Sequence, residues 1–334
     1  MSGPRASRSW LSSPPPAVAL EITAARMTGV AIGDHGAVRV ITSHATETLP
    51  AGLVEPALNA TNISDERQLA DVAGAVLQQL GTHSRRVGLV LPDSVAKVSL
   101  VRFDKVPAKA QDLEQLIRWQ VRKSVPYRIE DAQVSWQPAA VVAGGGREYL
   151  VTVARRDIVQ AYERVGEMVG VHTGLVDLST FNQVNAVLAG PPISGDWLLI
   201  DVAVDFATLA VVRDGDMVFY RHRAATGEGE LADLVHQTAM YHEDRLGGGG
   251  FARVVFAGAS VLGLDLLEHL RRALVERIGI MPEPIDFRAA AELRDRIAVG
   301  PEVLDLLAPC VGLLLRERSP RRISVAAARS DQVA

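Results

Sequence analysis

The chain has 334 residues, of which 48% are hydrophobic and 22% charged, and carries a formal net charge of −4. That length is about twice a typical domain of ~150 residues, and the apolar fraction excludes global disorder. The slight acidic balance leaves no general excess of cations for phosphate, which argues against a nucleic-acid binder. The single cysteine, Cys310, excludes an internal disulfide framework or a cysteine zinc site and fits a reducing compartment.

Residues 1–16, with two arginines, Pro14-Pro15-Pro16 and no apolar core, read as a disordered leader and not as a secretory signal. Ala17–Ile22, Met27–Ile32 and Ala37–Thr42 are β-prone runs that predict a three-stranded meander. From a cap at Ser64, apolar residues Leu69, Val72, Ala73, Val76, Leu77 and Leu80 recur at helical spacing until Gly81. Arg86–Leu91 and Val95–Phe103 read as strands. They are followed by a helix over Lys109–Ser124 with Leu113, Leu116, Ile117, Gln120 and Val121 on one stripe, closed by Pro126. Gln133–Val142 and Tyr149–Ala154 are strands around Gly144-Gly145-Gly146, which suits a hairpin tip. No strand–glycine–helix context makes it a dinucleotide loop. A helix at Arg156–Val169, a strand at Val171–Asp177 and a helix at Thr180–Leu188 lead to a boundary at Gly190-Pro191-Pro192.

The second half repeats the opening: Trp197–Val202, Ala207–Arg213 and Met217–Arg223 form another meander with a tight turn at Asp214-Gly215. A helix over Glu228–Leu246, a strand over Arg253–Ala257 and helices near Leu264–Arg277, Ala289–Ile297 and Glu302–Arg316 complete it. Trp197–Val212, the most apolar stretch, is interrupted by Asp201 and Asp205 and so reads as strands and not as a membrane span. A duplicated meander-plus-helix unit predicts two α/β lobes facing across a cleft. The first covers 17–190 with an inserted subdomain at about 93–155, the second covers 191–318, and 319–334 is a flexible tail.

The eight histidines are scattered; His236 and His242, six apart, fall on different helix faces, so no metal site is expected. No nucleophile elbow surrounds any serine, and the basic clusters Arg221-His222-Arg223 and Arg321-Arg322 read as solvated charge.

The segment Val106–Gln137, reading VPAKAQDLEQLIRWQVRKSVPYRIEDAQVSWQ, resembles the VPA…EL..AIRWE…IPFPID…DYQ run of the PilM proteins of bacterial type IV pilus assembly, and the likeness extends over about Val18 to Arg318. It implies an actin-like, ribonuclease H-like α/β fold of two duplicated lobes, with a small subdomain inserted in the first lobe and the second lobe truncated. It also implies a cytoplasmic adaptor at the inner face of the membrane, which captures the N-terminal cytoplasmic peptide of an inner-membrane PilN-like protein alongside other platform components. In such an adaptor, Ile117, Trp119, Val121, Val125 and Tyr127 are the candidate peptide-groove residues, with core aromatics as the alternative reading of Trp119 and Tyr127. FtsA and the type II secretion protein GspL are similar relatives, and a GspL-like secretion adaptor is one alternative.

Members of that superfamily cradle nucleotide phosphates on glycine- and hydroxyl-rich turns and hold hydrated Mg²⁺ with carboxylates. The first turn, similar to LDIGSSSVK, is here Leu20-Glu21-Ile22-Thr23-Ala24-Ala25-Arg26-Met27-Thr28, with Glu21 for the aspartate and Thr23 for the glycine. The second, similar to VDIGASTT, is Ile200-Asp201-Val202-Ala203-Val204-Asp205-Phe206-Ala207, where Ala203 replaces glycine and Val204, Asp205 and Phe206 crowd the phosphate position. Ala225-Thr226-Gly227-Glu228 runs almost directly into a helix where the family has a further subdomain, and the adenosine turn keeps only Gly258. Glu21, Thr23, Asp201, Ala203 and Gly258 are thus a degenerate nucleotide set. These departures from the family pattern favour a scaffold with lost or weak ATP binding, no catalytic residue, no resident metal and no cofactor. The other alternative is a nucleotide-regulated ATPase in which Glu21 and Asp201 face a hydrated Mg²⁺ and Mg²⁺-ATP is the cofactor.

Overall fold

The computed structural model describes residues 16–316 except 37, 142–145, 204–205, 225–227, 259–263 and 294–298. The expected leader and tail, the crowding residues Val204 and Asp205 and most of the Gly144–Gly146 tip therefore lie outside the described residues.

The chain opens with β1 (Val18–Ile22), β2 (Arg26–His35) and β3 (Val38–Thr48), the meander expected from the apolar runs. Helix α1 (Glu66–Leu80) is capped by Asp65, whose carboxylate accepts from the Arg67 and Gln68 amides, and it ends on Gly81 in the left-handed region. Ser64, the expected cap, instead donates its hydroxyl to the carbonyl of Gly52. Asp65→Ala is expected to cost about 1 kcal/mol in denaturant unfolding; an unchanged midpoint would show that the cap contributes nothing.

Strand β4 (Arg86–Leu91) leads into the inserted subdomain, made of β5 (Ala96–Phe103), α2 (Ala110–Val121), β6 (Ala132–Val141) and β7 (Arg147–Arg155). These strands form their own antiparallel sheet in the order β5-β7-β6. The chain returns through α3 (Arg156–Met168), β8 (His172–Leu178) and α4 (Ser179–Leu188). The second half contributes β9 (Trp197–Val202), β10 (Phe206–Arg213), β11 (Asp216–Ala224), α5 (Glu228–Leu246), β12 (Arg253–Ala257), α6 (Leu264–Ile278), β13 (Glu283–Pro284), β14 (Glu292–Leu293) and α7 (Pro301–Leu315).

Two sheets repeat one topology. The first runs β14-β3-β2-β1-β4-β8 and the second β11-β10-β9-β12-β13, each an antiparallel meander extended by parallel strands beside its first strand. The helix expected over Ala289–Ile297 is not found in its described part. Ala290 and Ala291 instead turn back to the Phe287 carbonyl, and β14 pairs parallel with Val40 and Ile41 of β3. Alanine-rich propensity is overridden there because Ile285, Phe287 and Ala291 are buried anchors that fix the segment on the first sheet. Helix α7 likewise packs on α4, β1, β2 and β4, so the end of the 191–318 half returns to the first lobe.

Candidate functional site

Parallel strands in α/β sheets carry ligands beyond their carboxyl ends, where successive connections diverge. Here Glu21 closes β1, Asp93 follows β4, Ser179 and Thr180 follow β8, Asp201 lies at the end of β9 and Gly258 follows β12. All the side chains of this set are buried, and they join one lobe to the other.

Asp93 is the hub. Thr180 Oγ1 donates to its Oδ2 at 2.6 Å, and Tyr220 Oη, from β11 of the second lobe, donates to its Oδ1 at 3.0 Å. Thr180 Oγ1 also lies 3.4 Å from Asp201 Oδ2. A hydroxyl has one hydrogen, and Asp93 takes it; Asp201 is therefore favourably placed only when it carries a proton of its own and donates to Thr180. Burial, reinforced by the neighbouring Asp93 charge, accordingly pushes the Asp201 carboxyl up to about 8, against an opposing hydrogen bond from Gln183. Burial lifts Asp93 to about 6, held down by its two hydroxyl donors, and Glu21 to about 7, held down by Arg26 and by Ser179, whose Oγ lies 3.2 Å from Glu21 Oε1. On the far side, Asp305 of α7 accepts the Gly258 amide at 2.7 Å.

The backbone donors of the two turns are largely engaged within the chain. In the first turn, the amides of Ala25 and Arg26 donate to Thr23 Oγ1 at 3.3 and 3.1 Å, and the Thr23 amide donates to the Arg26 carbonyl at 2.9 Å. The turn thus spends on itself three of the amides that could face a phosphate. The Ala203 amide is bound by the Phe206 carbonyl, and the Gly258 amide by Asp305. Among the described residues no three acids or histidines converge as ligands for one metal ion. Glu21 and Asp201 are both buried in this joint, each with its carboxyl held above the ordinary range by burial.

Sequence reasoning missed Asp93, Ser179, Thr180, Gln183, Tyr220 and Asp305. The signal lay in Pro92-Asp93 and Asp177-Leu178-Ser179-Thr180, polar residues immediately after apolar parallel strands. The groove candidates separate. Ile117 and Val121, on the inward stripe of α2, and Val125, in the turn beyond it, are buried in the inserted subdomain's core with Val101, Phe103 and Val151 and so do not line an open groove. Trp119, two residues from each of Ile117 and Val121, projects from the opposite face and is 60% exposed. Tyr127 is half-buried beside Arg155, whose guanidinium reaches the first-lobe residue Asn59 at 3.1 Å; burial raises the phenol to about 12, and its Oη has no partner.

Two lobes of repeated topology, a closed interlobe joint and an inserted subdomain define an actin-like ATPase fold. The sequence matches the model of the type IV pilus assembly protein PilM over residues 19–245, and the chain belongs to that family. The structure is similar to the PilM-PilN type IV pilus biogenesis complex, with 18% identity and a TM-score of 0.75, covering 91% of this chain and 99% of that one. Weaker likenesses are to the cytoplasmic domain of EpsL, an inner-membrane component of the type II secretion system of Vibrio cholerae (11% identity, TM-score 0.44, covering 78% and 94%), and to the ethanolamine utilization protein EutJ from Carboxydothermus hydrogenoformans (10% identity, TM-score 0.45, covering 91% and 90%). No curated protein matches the sequence. No helix among the described residues is long and apolar enough to cross a membrane.

Proposed function

We propose that this chain is a cytoplasmic adaptor of pilus assembly. In this reading it captures the N-terminal cytoplasmic peptide of a PilN-like inner-membrane protein and makes no use of Mg²⁺-ATP. Membership of the PilM family and the likeness to a PilM-PilN complex support the partner. The single observation that carries the nucleotide-free half is the interlobe joint, whose amides and carboxyls are engaged with one another. The peptide docks at the seam between the inserted subdomain and the first lobe, where the half-buried Tyr127 ring lies beside Arg155 and Arg155 reaches Asn59. Backbone pairing supplies affinity there, and the phenol ring selectivity.

Calorimetric titration with a synthetic peptide of the partner's N-terminus tests the binding half. Saturable binding is expected, weakened about tenfold by Tyr127→Ala, since loss of an aromatic contact at an interface is worth roughly 1–2 kcal/mol. No saturable binding sinks the adaptor reading. For the other half, a thermal melt with millimolar Mg²⁺-ATP should be superimposable on one without it. A ligand at a hundred times its dissociation constant would add about 3 kcal/mol, so any clear upward shift overturns it.

A further inference from the structure

The outer face of α2 is unexplained by the adaptor reading. Of the tryptophans in described positions, Trp197 is fully buried and Trp136 half-buried, whereas Trp119 stands 60% exposed on a helix whose opposite stripe is core. The Arg122 guanidinium stacks 4.5 Å over its indole and donates to the Trp119 carbonyl at 3.4 Å. Arg122, the C-cap of α2, and Lys123 and Pro126 in the turn that follows it are exposed as well. Neither Arg122 nor Lys123 has a carboxylate partner among the described residues. The acids nearby do not cancel them: Glu114 is committed to Arg118 at 3.0 Å, Glu130 faces Arg128 at 3.6 Å, and Asp112 sits at the other end of the helix, about 15 Å from Arg122 by helical rise.

We propose that the exposed end of α2 and the turn that follows it are a contact for an anionic lipid bilayer, with Trp119 entering the headgroup layer and Arg122 and Lys123 paired with lipid phosphates. An indole has an apolar body and a polar N–H and partitions to the membrane–water boundary, while basic side chains are drawn to the negative surface. The shape favours a bilayer over an acidic protein. Trp119 is a knob capped by a cation, which a fluid surface accommodates without a matching pocket, whereas a protein partner must supply one. The charge is local in a chain that is −4 overall, so attraction to anionic lipid depends on presenting this face. The inference stands apart from peptide capture, which uses Tyr127 and the seam.

Co-sedimentation of the full chain with vesicles tests it. With equal parts of phosphatidylglycerol and phosphatidylcholine at low ionic strength, saturable pelleting is expected, released by high salt and absent with phosphatidylcholine alone. Trp119→Ala should weaken partition about tenfold. The double change Arg122→Gln, Lys123→Gln should weaken it about thirtyfold, at roughly a fivefold factor for each basic residue near the surface. Both variants leave the core stripe intact, and unchanged melting curves will confirm that they fold. Absent pelleting, equal pelleting on neutral vesicles, or full retention in Trp119→Ala each overturns the proposal. If Trp119→Ala spares vesicles but abolishes capture of the PilN-like peptide, the knob belongs to a protein interface. If peptide binding fails for the wild type while vesicle binding follows the expected pattern, the adaptor reading falls and the lipid contact stands.

Discussion

Asp201→Asn is expected to stabilise the protein at pH 8 by about 2–4 kcal/mol, although it removes a buried acid from the interlobe joint. The folded-state value of Asp201, about 8, lies above its ordinary 3.8. The contribution of the protonated group is therefore complete below about pH 4 and is lost progressively as pH rises through about 8, at up to roughly 1 kcal/mol per pH unit. Asparagine offers Thr180 Oγ1 the same kind of donor without a proton to lose. The gap between variant and wild type, read from denaturant midpoints, should be smallest near pH 4, widen with rising pH and level off above about 8. Asp93→Asn should behave oppositely. Asp93 accepts from both Thr180 and Tyr220, so an amide nitrogen must face one of two donors, at a cost of about 1–3 kcal/mol. If Asp201→Asn lowers stability at pH 8, the carboxylate is needed as an anion. The joint then holds a cation, and the nucleotide-regulated reading regains its footing.

The physical difference between what the sequence disclosed and what it withheld is one of range. The meanders, Gly81 as a helix stop and the inward stripe of α2 are local patterns, written in alternation, turn chemistry and helical spacing. Duplication of the meander gave away the two lobes because each copy needs the same register of apolar residues on its sheet. The joint was legible only where one strand end could be matched to another. Glu21 and Asp201 occupy equivalent places in the two copies, while Asp93, Thr180, Tyr220 and Asp305 come together only through packing of elements that lie up to two hundred residues apart. The segment Ala289–Leu293 misled for the same reason. Its alanines favour a helix, but a short parallel pairing with β3 and the burial of Phe287 decide its course, and neither is visible within the window.

Gly312→Ala is expected to destabilise the protein by about 3 kcal/mol or more, whereas Gly74→Ala, the same chemical change inside another helix, should stabilise it by roughly 0.5–1 kcal/mol. A Cβ at Gly312 would lie 1.7 Å from the backbone oxygen of Asn182, so α7 and α4 could not keep their present approach. At Gly74 the nearest atom is a Val169 methyl at an ordinary 3.7 Å, and only the helix propensity changes. The consequence of the first change reaches the joint. Helix α4 carries Ser179, Thr180 and Gln183, and α7 carries Asp305 and the buried Cys310, whose thiol reaches the Thr28 carbonyl at 3.5 Å. Driving the two helices apart withdraws Asp305 from the Gly258 amide and Thr180 from the two carboxyls together. Part of the pH dependence attributed to Asp201 should therefore vanish in Gly312→Ala and persist in Gly74→Ala. Equal stability of the two variants would mean that the helices slide past the added methyl, and the close crossing of α4 and α7 would then not be what aligns the interlobe joint.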